Sequence, residues 1–213
     1  MTLTTEAHVP TTRRPVRKAV LLPAVGLIVA AATQIDAGIT TNAFRSASPA
    51  PEDSLNFPWY GELAGQISTW WSFTGLFLVI GFACFARSGA LRHSRTGRAG
   101  AWAAVAGAAL IVVANFMSAA NADAMMDDGI SKVIVGFFAG ATLLTGAGLI
   151  AAGVATLRSD TWHGVARYVP LATGTWCFLL IPIQFTGALA IGVGVMAALQ
   201  VALGATLIAE ESW

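Results

Sequence analysis

Six apolar stretches separated by short polar connections set the pattern of the chain. They are Ala19–Ile39, Ile67–Phe85, Ala99–Ala120, Val133–Leu157, Val169–Ile183 and Ala188–Ile208. A helix needs about 20 mainly apolar residues to cross the hydrocarbon core of a bilayer. Five of the stretches meet that length, and the fifth does so if it runs a few residues past Pro182. The expected fold is therefore all-α: a polytopic bundle of six transmembrane helices with both termini inside. Only "PIQFTG" separates the last two segments, which predicts a tight turn. The first segment follows basic residues as a secretory signal would. At 21 residues it exceeds the usual 7–15 of a signal core, so it reads as a retained span.

Charge orients the bundle. Arg13, Arg14, Arg17 and Lys18 precede the first segment, Arg87, Arg92, Arg95 and Arg98 follow the second, and Arg158 and Arg167 follow the fourth. The opposite loops hold only Arg45 and Lys132 against Glu52, Asp53, Glu62, Asp123, Asp127 and Asp128. Basic loops stay on the cytoplasmic side, which puts both ends of the chain there, in a multi-pass cell-membrane protein. The expected organisation is a flexible cytoplasmic tail over 1–17, one transmembrane domain over 18–209 with an outer loop at 41–61, and a cytoplasmic end at 210–213.

Composition agrees with burial in lipid. The chain is 56% hydrophobic and 11% charged, with a mean hydropathy of +0.69, against about 25% charged residues in soluble domains. There is no basic patch with a nucleic-acid motif, so nucleic acid is not an expected partner. Cys84 and Cys177 lie in apolar runs without a CxxC spacing and read as small buried hydrophobes. In "GFFAG", Gly136 and Gly140, with Gly146 and Gly153 further on, read as small residues that let helices of this chain approach closely.

Polar residues inside spans are costly and therefore informative. They concentrate toward the outer side: Gln34 and Asp36, Glu62 and Gln66, Asn115 and Ser118, and Gln184. Helical spacing aligns Glu62, Gln66, Thr69, Phe73 and Phe77 on one face of a helix starting near Gly61. Thr33, Asp36 and Thr40 form a second stripe, and Phe116 and Asp123 share a third face with Asn115 beside it. An outward-opening pocket lined by acids, amides and aromatics is the expectation. Trp59, Tyr60, Trp70 and Trp71 suit either that pocket or an aromatic belt at the interface.

No HExxH, Cys/His cluster, GxSxG, GxGxxG, Walker or DDxxD pattern occurs, so neither a metal nor a nucleotide cofactor is expected. What remains is a carboxylic acid against an aromatic wall. A carboxyl in apolar surroundings keeps its proton, can pass it to an alkene or epoxide, and aromatic faces can hold the resulting cation.

With "NFPWYGELAGQISTWW" and the embedded Asp36, the chain resembles the small membrane-integral terpene cyclases of bacterial and fungal meroterpenoid and indole-terpenoid pathways. The resemblance implies proton-initiated cyclisation of a prenylated, lipophilic substrate. By position and chemistry, Asp36 or Glu62 is the expected donor, with the other acid or Asp123 as partner or final base. Trp59, Tyr60, Gln66, Trp70, Phe73, Phe77, Asn115, Phe116 and Gln184 are the expected substrate wall. The alternative is a non-enzymatic membrane module: a partner subunit, an immunity protein or a small transport component.

Overall fold

The computed structural model describes residues 18–91, 93–159, 162–183 and 188–211. The expected tail over 1–17, Gln184 and residues 212–213 lie outside them. The described residues form six long helices: α1 (Lys18–Phe44), α2 (Gly61–Arg87), α3 (Arg95–Ala120), α4 (Gly129–Arg158), α5 (Val169–Ile183) and α6 (Leu189–Glu211). Each, α5 together with the 3-10 turn Ala166–Tyr168 that leads into it, carries a segment long and apolar enough to cross a membrane, as a multi-pass membrane protein requires. Most helices overrun their apolar cores. α1 continues five residues past Ile39 through Thr40, Thr41 and Asn42, and α2 starts six residues before Ile67. Hydropathy marks the part of a helix that suits lipid, while backbone hydrogen bonding carries the helix on through its polar ends.

Consecutive helices pack side by side, and α6 returns against α1 to close the ring. The packing uses very small residues. A methyl group added at Gly148 on α4 would collide with the Gly100 carbonyl and the Ala104 amide of α3, and one at Gly107 would collide with Thr145. Gly146 and Gly174 make the corresponding close approach between α4 and α5. Backbones come this near because at least one side of each contact carries no Cβ, which favours dispersion contacts that lipid alone would not drive. Gly146 and Gly153 thus act as expected. Gly136 and Gly140 do not: both are exposed, with nothing within 4 Å of an added Cβ. A GxxxG spacing identifies a face but not what covers it.

The bundle is differently built at its two ends. At the basic end, Phe82, Phe85, Leu91, Leu149, Leu203, Leu207 and Trp162 form an apolar core, with the Phe85 and Trp162 rings 5.7 Å apart. At the acidic end buried polar residues, Ser68, Ser72, Thr74, Asn115 and Ser118, stand among buried apolar ones such as Trp59, Ala64 and Ile134. Between α1 and α6, the amides of Gln34 and Gln200 donate to each other's oxygens at 3.1 and 3.3 Å. The pair closes the ring with a polar contact inside apolar surroundings. Gln200→Leu strands the Gln34 amide and is expected to cost about 1–2 kcal/mol. Thermal unfolding in mild detergent measures it; an unchanged midpoint would mean that the pair contributes nothing to closure.

Candidate functional site

The loop of residues 45–60 is folded down on the acidic end. The Leu55 amide donates to the Ala124 carbonyl at 2.9 Å and the Met126 amide to the Asp53 carbonyl at 2.7 Å, flanking an antiparallel bridge between Ser54 and Met125. The Asn56 side-chain oxygen accepts from Ser118 of α3 and, more loosely at 3.5 Å, from Ser68 of α2. Trp59 is buried, its ring 5.1 Å from that of Phe44. This loop therefore joins the end of α1 to the α3–α4 connection and delivers the chain to α2 at a defined angle.

Helix α2 begins at Gly61, whose φ of +60° is a conformation that favours glycine. One Asp123 carboxylate oxygen lies 3.5 Å from where a Gly61 Cβ would stand, so this acid faces the positive end of α2. One turn on, an added Cβ at Gly65 would be 3.4 Å from the Ala119 carbonyl. "GELAG" thus lets the start of α2 lie close against the end of α3. Its two glycines four apart are the sequence signal that could have marked this contact.

Along this contact runs a groove of about 640 Å³, open on one side. Glu62, Gln66, Thr69, Trp70 and Phe73 of α2 line it on one flank, and Ala119, Ala122 and Asp123 on the other. Gln66 Nε2 donates to Glu62 Oε1 at 3.0 Å, aligning the carboxylate along the helix. Further along the same face, the exposed Phe73 and Phe116 rings meet edge to face, their centroids 6.0 Å apart. Neither Glu62 nor Asp123 has an ion-pair partner among the described residues. The groove is acidic and hydrogen-bonding at the end near the loop and aromatic toward Phe73. Among the described residues, no three His, Cys, Asp or Glu side chains gather as a metal site.

The sequence pattern anticipated the α2 stripe as far as Phe73. Phe77 continues the spacing but turns to α1, where its Cδ1 would lie 3.4 Å from a Gly26 Cβ. Tyr60 is exposed ahead of the helix, and Trp59 belongs to the loop core rather than the groove wall. Asn115 is buried on α3 and Trp71 is half-buried.

Asp36 is not among the residues lining the groove. It is exposed on the outward face of α1, in line with Val25, Val29 and Ile39, while Ala24, Leu27 and Gln34 face the neighbouring helices. The apparent polar stripe through Asp36 dissolves for a local reason. The Thr33 and Thr40 hydroxyls donate back to the Ala30 and Asp36 carbonyls of the same helix, at 2.8 and 2.7 Å, and call for no polar neighbour. Asp36→Leu is expected to raise stability by on the order of 1 kcal/mol, as an outward carboxylate is replaced by an apolar group. Unfolding in detergent would check this; a clear loss of stability would show that Asp36 has a contact within the bundle.

No family model, curated protein or solved structure matches the chain, and the functional reading rests on this geometry.

Proposed function

We infer that this is a multi-pass cell-membrane protein, its basic end cytoplasmic, which binds an amphiphilic lipophilic molecule in the α2–α3 groove at the outer leaflet. The supporting observation is the polarity of that groove: Glu62, Gln66 and Asp123 at one end, Trp70 and Phe73 at the other. Two carboxylates without a cationic partner suit a ligand head that is positively charged or rich in hydrogen-bond donors. The aromatic end suits a hydrocarbon chain of prenyl type lying parallel to the helices. The side opening lets such a ligand enter from the lipid without crossing water.

Proton-initiated cyclisation of a prenylated substrate is the second reading. It is favoured by the Phe73–Phe116 pair in line with Glu62, since ring faces and edges beside an acid are what a cation-forming site needs. In that reaction Glu62 as the carboxylic acid gives its proton to an alkene carbon, ring closure moves the cation, and Asp123 takes a proton from the adjacent carbon. A carbocation also has to be kept from water. The open groove suits exchange of a bound lipid better, which places binding first.

The two readings separate in one assay. Reconstituted protein is titrated with a fluorescent prenylamine, and the lipid fraction is then analysed for cyclised product. Saturable binding with unchanged ligand supports the binding reading. A cyclised product that disappears in Glu62→Gln establishes the enzyme, and no saturable binding overturns both.

A further inference from the structure

A second groove, of about 480 Å³, lies at the basic end, where α2 ends and α3 begins. It is lined by Ala86, Arg87, Ser88, Gly89, Arg98 and Trp102. Arg98 and Trp102 are four apart on α3 and share a face. Arg87, the last residue of α2, reaches across so that its guanidinium carbon lies 5.1 Å from the Trp102 ring centroid. Arg87, Arg98 and Trp102 are all exposed, and neither arginine has an ion-pair partner among the described residues.

The N-terminus of α3 is already capped by Ser94, which accepts from the Gly97 amide at 2.9 Å. Two guanidinium groups converge on one cleft without a carboxylate in its wall. Trp102, 40% exposed, stands where an indole ring meets the headgroup layer. Planar guanidinium groups match the oxygens of a phosphate.

We propose that the Arg87–Arg98–Trp102 groove binds the phosphate of an anionic phospholipid at the basic face of the bundle. The phosphodiester lies between the two guanidinium groups, and the acyl chains run down the outer surface past Trp102. Arg87 is held by stacking before the lipid arrives, which lowers the ordering cost of binding.

The test uses full-length purified protein, followed by native mass spectrometry in mild detergent during titration with phosphatidylglycerol or phosphatidylcholine. Phosphatidylglycerol is expected to bind preferentially, and Arg87→Gln/Arg98→Gln together to weaken it roughly 30-fold. Arg158→Gln, at the same end but outside the groove, is expected to leave that affinity unchanged. Equal binding of both lipids, or an equal loss in Arg158→Gln, would overturn the site. Displacement by inorganic phosphate alone would replace the lipid with a free anion as its ligand.

Discussion

Gly148→Leu is expected to break the bundle, whereas Gly136→Leu, three turns away on the same helix, is expected to leave it intact. The Gly148 side chain would have to occupy space held by the Gly100 carbonyl and the Ala104 amide. Those are backbone atoms of α3, with no rotamer by which to yield. The helices must separate, and the α4–α5 contact two residues away at Gly146 must shift with them. Overpacking of this kind costs about 3 kcal/mol or more. That is a large share of the roughly 5–15 kcal/mol that stabilises a typical domain. Gly136 opens onto empty space outside the bundle, where leucine is at home in lipid. Melting temperature and monodispersity in detergent read both variants. Tolerance of Gly148→Leu with collapse of Gly136→Leu would mean that α4 is rotated by about a third of a turn.

Glu62→Gln/Asp123→Asn is expected to weaken prenylamine binding by 10- to 100-fold while leaving the melting temperature nearly unchanged. A hydrogen bond to a charged group contributes about 1.5–3 kcal/mol, and each decade of affinity is about 1.4 kcal/mol. Both side chains are exposed, so neutralising them leaves no buried charge unpaired. A neutral prenyl alcohol is expected to lose much less in the same variant, because the amide groups can still hydrogen-bond its hydroxyl. Equal losses for amine and alcohol would show that the acids shape the groove instead of recognising charge.

Much of the architecture was legible because lipid imposes a coarse rule. Length and apolarity located six helices, and the fifth expected segment starts at Val169, where α5 starts. The stripe from Glu62 to Phe73 was legible because one helix face carries it, and a helix face follows from spacing alone. Asp36 was misleading because its neighbours Thr33 and Thr40 satisfy themselves within α1, which periodicity cannot reveal. The contribution of Gly61 and Gly65 was hidden by the bulky residues around them, although their spacing was in view. The loop core of Asn56, Trp59 and Ser118 depends on contacts across 62 residues of chain and has no local sequence sign.

The most direct measurement is photolabelling of the reconstituted protein with a prenylamine that carries a diazirine on its chain, followed by peptide mapping. The predicted result is labelling centred on Trp70, Phe73 and Phe116, suppressed by excess unlabelled amine and by Glu62→Gln/Asp123→Asn. Labelling spread evenly over the outer faces of the six helices, or centred on α1 around Asp36, would contradict a ligand site between α2 and α3.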